Sequence, residues 1–207
     1  MISSGSAGGV SRVVLASRNA KKLVELRRIL EPLVPGIEVL GLDDVDPFDE
    51  PAETEPTFEG NALIKARACL AATAMPSLAD DSGLCVDALN GMPGVLSARW
   101  SGAGDEANNA LLLNQLGDVP DKHRGAAFRC AVALCTPDGT EVVETGAMHG
   151  RILRSEQGDG GFGYDPLFAA DGYDVSTAEL PSAEKDRISH RGHALAAIAP
   201  HVVSALG

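Results

Sequence analysis

Val13-Val14-Leu15-Ala16-Ser17-Arg18-Asn19-Ala20-Lys21-Lys22 is an apolar run that breaks into a polar, basic cluster. The apolar part reads as a short buried strand. Leu23, Leu26, Leu30 and Leu33 follow at helical spacing until Pro35-Gly36 ends the pattern, and Asn19 is a good N-cap for that helix. A strand that turns directly into a helix starts an α/β pattern. The same turn leaves backbone N–H groups unpaired at the positive end of the helix dipole, beside Lys21 and Lys22, which suits an anion such as phosphate. A capped helix with two solvated lysines is the plain alternative. The cluster lacks the glycines of a P-loop or a Rossmann turn.

Outward from this stretch, Ile37 to Leu42 reads as a second strand. Asp43 to Pro56 is acidic and holds three prolines, which predicts an irregular loop. Phe58 to Thr73 carries Ala62, Ala66 and Leu70 on one helical face, and Met75-Pro76 stops it. Arg129 to Cys135 and Thr140 to Met148 read as strands joined by the turn Thr136-Pro137-Asp138-Gly139. Gly158 to Gly163 is a glycine-rich loop, and Leu195, Ile198, Val202 and Leu206 define a last helix from about Gly192. Early alternation of strand and helix followed by a hairpin predicts an α/β protein with a mixed sheet flanked by helices. No repeat or linker divides the chain. Residues 10–207 are expected to form one domain, after a disordered Ser/Gly-rich tail over 1–9.

The chain has 207 residues, a net charge of -12 and 4% aromatics, so the core is expected to be aliphatic. The acidic balance argues against general nucleic-acid binding, which needs a basic surface. A small anionic ligand remains compatible, because a few lysines in a cleft with a bound cation reverse the local field. No apolar stretch is long enough to span a bilayer. Cys69, Cys85, Cys130 and Cys135 match no zinc or disulfide spacing and are expected to be reduced thiols of a cytoplasmic protein.

Four further clusters carry chemistry. Ala79-Asp80-Asp81-Ser82-Gly83 is expected to be an acidic turn whose adjacent carboxylates tolerate one another best beside a cation, or move a proton. Asn61 and Lys65 share one face of the second helix, and Glu53 in the acidic loop is within reach of a metal. Phe162, Gly163, Tyr164 and Asp165 combine a ring that can stack on a base with backbone that can approach it closely. Lys185, His190 and Arg191 precede the last helix and are placed to face an anion or a base.

In this order the clusters resemble the inosine triphosphate pyrophosphatase family, also called the Ham1 or RdgB-like family. The resemblance rests on SRNAKK, TFEGNALIKA, ADDSGLCVDALNGMPGVLSARWSG, GGFGYDP and EKDRISHRG and covers the chain from Val13 to Leu206. It implies an elongated mixed sheet in two lobes with a central active-site cleft. It implies Mg²⁺-dependent hydrolysis of noncanonical purine nucleoside triphosphates (ITP, dITP, XTP) to the monophosphate and pyrophosphate, by a homodimer. By the same resemblance, Ser17, Arg18, Asn19, Ala20, Lys21 and Lys22 bind the triphosphate, and Ser82 touches substrate. Asp81 is the general base and, with Glu53 or Asp80, holds the metal. Lys22 and Lys65 stabilise the leaving pyrophosphate. Phe162, Gly163, Tyr164, Asp165, Lys185, His190 and Arg191 form the base pocket. One departure is Lys21, where the family often has Gly; helical backbone there would carry no strain. A Maf-like pyrophosphatase acting on other nucleotides, and a nucleotide sensor without turnover, are the competing readings.

Overall fold

The computed structural model describes residues 11–206; the expected tail over 1–9, and Val10, lie outside the described residues. A six-stranded sheet has the order β2-β1-β3-β4-β5-β6. β1 (Ser11–Leu15) runs parallel to β2 (Ile37–Leu40) and to β3 (Ser77–Val86). β4 (Gly125–Cys135), β5 (Glu141–Ile152) and β6 (Phe168–Ala170) continue it antiparallel. The sheet is therefore mixed, as the early alternation and the later hairpin predict.

Helix α1 (Ala20–Leu33) begins where the leucine period begins, and Asn19 Oδ1 accepts from the amides of Lys21 and Lys22 at 3.1 Å each. Lys21 is helical, so it is unstrained where the family often has Gly. Helix α2 (Phe58–Thr73) is capped by Thr57 and ends at Ala74 in the left-handed conformation. Helices α3 (Asp105–Gln115) and α4 (Ser182–Ile188) are additions to the sequence pattern. Helix α5 (His190–Leu206) starts two residues earlier than predicted, so His190 and Arg191 lie in its first turn.

One prediction is corrected. Ala79 to Gly83 is not a turn but the middle of β3, paired with Ala133 to Arg129 of β4. Alternation along a strand then sends successive side chains to opposite faces. Leu78 joins the core formed by Leu26 and Leu30 of α1 with Leu195 and Ile198 of α5. Ala79 joins the core on the other face, with Ala62, Ala66 and Cys69 of α2. Farther along β3, Leu84 and Val86 belong to a third cluster with Leu112 of α3, Phe128 and Phe168. Asp80 and Ser82 lie on β3 between Leu78 and Leu84, where the first and third clusters part and the cleft opens.

All four cysteines are free, and burial raises the pKa of each, that of Cys135 to about 11. Among the described residues no helix is long and apolar enough to cross a membrane.

Candidate active site

A cleft of about 580 Å³ is lined by the residues from Ser17 to Lys22, by Glu53, Lys65, Asp81 and Ser82, and by Phe162 to Asp165, His190 and Arg191. Segments that are remote in sequence thus converge as the motifs anticipated. Asp80 and Lys185 are not among the lining residues but hold ones that are.

One wall of the cleft is the β1–α1 turn. Ser17 Oγ accepts from the Asn19 amide at 3.3 Å, and Asn19 caps α1. Lys22 Nζ lies 2.9 Å from Asp80 Oδ2. Arg18 turns toward the acidic loop, pairing with Glu50 at 2.6 Å and donating to the Phe48 carbonyl. Lys21 is exposed at the cleft rim.

The acidic wall is split. Asp80 is 2% exposed and meets both Lys22 and, at 3.4 Å, Arg191 Nε. Burial pushes its carboxyl up, but Lys22, Arg191 and Lys65 outweigh that and hold it far below the usual range. Asp81 points to the α2 side. Its Oδ2 accepts from Asn61 Nδ2 at 3.1 Å, its Oδ1 accepts from the Ser82 amide at 3.0 Å, and Lys65 Nζ stands 3.7 Å away. Burial, aided by the charge of Glu53, keeps Asp81 above the usual carboxylate range despite Lys65 and Lys22. Glu53 accepts from Lys65 at 2.9 Å and from Arg99 at 3.1 Å. Burial pushes Glu53 up, and these two cations outweigh it, leaving a lowered pKa.

Of the two partners expected for Asp81 at a metal, Glu53 or Asp80, Asp80 has its carboxylate on the other face of β3, where Lys22 and Arg191 take it. Glu53 and Asp81 share Lys65 as a neighbour, and their carboxylate oxygens are of the kind a hard divalent cation takes. Among the described residues no three His, Cys, Asp or Glu side chains cluster as a metal cage.

The opposite wall is built around the ring of Phe162. Phe162 lies beneath two cations, with Arg191 Cζ 5.2 Å and Lys185 Nζ 5.6 Å from its ring centroid. Asp165 fixes this arrangement, accepting from the Phe162 amide at 2.9 Å, from Thr177 Oγ1 at 3.0 Å and from Lys185 Nζ at 2.5 Å. His190 stacks on Phe128 with centroids 5.0 Å apart and planes 13° apart. Its Nδ1 is buried without a partner. Burial, then Arg191 and Lys185, hold its pKa well below the ordinary value, so the ring is neutral. Arg191 ties the two walls, reaching Glu25 Oε2 at 3.1 Å and Ser82 Oγ at 2.8 Å as well as Asp80.

The sequence model of the Ham1 family matches residues 13–201 of this chain. The chain belongs to the Ham1 family. A dITP/XTP pyrophosphatase of Nocardia farcinica is 62% identical to it over 194 residues, spanning 92% of this chain and 94% of that protein. The crystal structure of a nucleoside-triphosphatase (dITP/XTP pyrophosphatase) from Mycobacterium abscessus superposes with a TM-score of 0.75 at 55% identity, covering 91% of this chain and 99% of that one. The Ham1 protein of Staphylococcus aureus superposes with a TM-score of 0.83 at 37% identity, covering 93% and 98%.

Several residues of this Ham1 site escaped the sequence reading. Glu25, 5% exposed, is one turn beyond Lys22 on α1, and its spacing was the only signal. Arg99 holds Glu53, and Thr177 holds Asp165, through contacts that no local pattern announces. Asp105 and Asn109 touch the Phe162 loop from α3, a helix that the sequence pattern did not place.

Proposed function

We propose that this protein hydrolyses noncanonical purine nucleoside triphosphates (ITP, dITP and XTP) to the monophosphate and pyrophosphate, and so cleanses the nucleotide pool. The observation that carries this reading is one cleft that sets a capped, lysine-bearing helix start and a buried basic carboxylate opposite a cation-backed aromatic. The named activity of relatives above half identity supports it. Mg²⁺ would be held by Asp81 and Glu53 and would supply charge neutralisation on the phosphate oxygens.

In this reading the α1 amides and Lys22 receive the triphosphate, and Lys22 and Lys65 offset the charge that grows on the departing pyrophosphate. The Asp81 carboxylate takes the proton of the water that attacks phosphorus, a role suited to its raised basicity. Asn61 and the Ser82 amide orient that carboxylate. On the base side, Phe162 stacks on the purine. N–H donors of Arg191 and the loop backbone meet a 6-oxo group and would face the 6-amine of adenine with no acceptor. Exclusion of GTP rests on the 2-amino position, through crowding or an N–H donor left unpaired there, which the 2-oxo group of xanthine does not carry. A homodimer working in the cytoplasm belongs to the same reading.

The test is pyrophosphate release from ITP, XTP, GTP and ATP with Mg²⁺. Fast release from ITP and XTP with slow release from ATP and GTP is expected. Equal turnover of all four would sink the base-pocket assignment.

A further inference from the structure

The loop that presents Phe162 has one internal side-chain tie, from the Phe162 amide to Asp165. Gly158, Gly161 and Gly163 all have positive φ, at 77°, 73° and 62°. Such glycines lose more conformational freedom on ordering than any other residue. Further ties come from outside, and two of them come from one helix. Asp105 Oδ2 accepts from the Gly163 amide at 2.9 Å, and Asn109 Nδ2 donates to the Gly163 carbonyl at 3.2 Å. The two residues are four apart on α3, so they project together and grip both sides of one glycine. Their helix is itself fixed. Leu112 and Leu116 are fully buried, and Asn108 accepts from the Ser101 amide at 2.7 Å. The Asn109 Oδ1 atom is buried without a partner, a cost that a leucine at this position would not carry.

We infer that Asp105 and Asn109 are positioning residues that clasp Gly163, hold Phe162 against Lys185 and Arg191, and thereby set the discrimination between 6-oxo and 6-amino purines. The clasp stands on geometry alone; its consequence for selectivity rests on the proposed nucleotide reading. A loop released from α3 samples positions in which the ring and its cations no longer define one base orientation, so the preferred substrate loses more than the poor one.

The experiment pairs amide hydrogen exchange over residues 160–166 with steady-state kinetics on ITP and ATP for wild type, Asn109→Leu, Asp105→Ala and Asp105→Asn. In Asn109→Leu and Asp105→Ala the Phe162 to Tyr164 amides should exchange about tenfold faster. KM for ITP should rise about tenfold with kcat within about twofold, and the ITP/ATP ratio of kcat/KM should fall about tenfold. Asp105→Asn keeps an acceptor for the Gly163 amide and should behave as wild type. Unchanged exchange in both disrupting variants overturns the clasp. Faster exchange with an unchanged ITP/ATP ratio overturns its role in selectivity. A wild type that hydrolyses no triphosphate overturns the nucleotide reading and with it the selectivity role, while the exchange data still decide the clasp.

Discussion

Asp80 and Asp81 are consecutive in the chain, yet their carboxylates work on opposite faces of β3. Asp80 Oδ2 lies 2.9 Å from Lys22 Nζ on the α1 side, while Asp81 Oδ2 accepts from Asn61 on the α2 side at 3.1 Å. The alternation of a strand does this without any special backbone. The environments push the two groups apart: Asp80 falls below the ordinary range and Asp81 rises above it. That split suits one fixed anion and one proton acceptor.

Asp81→Asn should cost about 10²–10⁴ in pyrophosphate release, the usual worth of a positioned base. It should also raise the melting temperature of the metal-free protein near neutral pH. The folded-state pKa of Asp81 is above 3.8, so its ionised form weakens folding once pH has risen through the raised value. Calorimetry without divalent ions, beside the activity assay, reads both effects. A variant that loses stability as well as rate would mark Asp81 as a structural anion.

Asp80→Asn should behave the other way and destabilise the fold by about 3–5 kcal/mol, because Lys22 and Arg191 lose a buried partner. A carboxylate lowered below 3.8 contributes its full stability above that value and loses it only as pH falls through the folded pKa. The deficit of the variant should therefore stay constant across neutral pH in urea titrations. A deficit that varies there would mean that Asp80 is not ionised throughout.

His190 should make the wild type less stable in mild acid. Its pKa is well below 6.5 in the fold, so the unfolded chain binds the extra proton first. Stability is complete above 6.5 and falls below it by up to about 1.4 kcal/mol per pH unit. His190→Phe keeps an aromatic ring opposite Phe128 and should remove that part of the slope. Equal slopes in both proteins would show that the His190 ring takes up its proton without loss.

Chelation of Mg²⁺ should abolish turnover, and added Mg²⁺ should restore it. Glu53→Gln should raise the Mg²⁺ concentration for half-maximal rate about tenfold or more. Full activity of the wild type in excess chelator would remove the metal from the proposed reaction.

Gly83→Ala tests how the floor of the cleft is built. A methyl group there would stand 2.3 Å from the Gly94 carbonyl oxygen and 2.5 Å from Ser97 Oγ. Backbone cannot yield cheaply, so the substitution should cost about 1–3 kcal/mol. It should also disturb Ser97, whose hydroxyl accepts from the Leu84 amide at 2.8 Å. An alanine variant with wild-type stability in chemical denaturation would show that Gly94 to Ser97 is free to shift.

The order of elements was legible because local chemistry governs it. Val13 to Ala16 had to bury itself, Asn19 had to cap what followed, and Thr136 to Gly139 had to turn. The residue types that meet in the cleft were named from the same local chemistry, since phosphate, metal and base would each demand particular groups. What remained hidden depends on long-range contact. Asp80 to Gly83 resembles a turn in composition, and only ten consecutive pairings between β3 and β4 make it a strand. Once it is a strand, its alternation assigns Asp80 to Lys22 and Arg191 and leaves Asp81 to Asn61 and Lys65. No local pattern contains that decision, because the partners lie on three helices that meet only when the sheet has formed. The same holds for Glu25, Asp105, Asn109 and Thr177, whose roles exist only through residues up to 166 positions away. Local propensity determined the pieces and their chemistry; burial against a shared sheet decided which charge faces which.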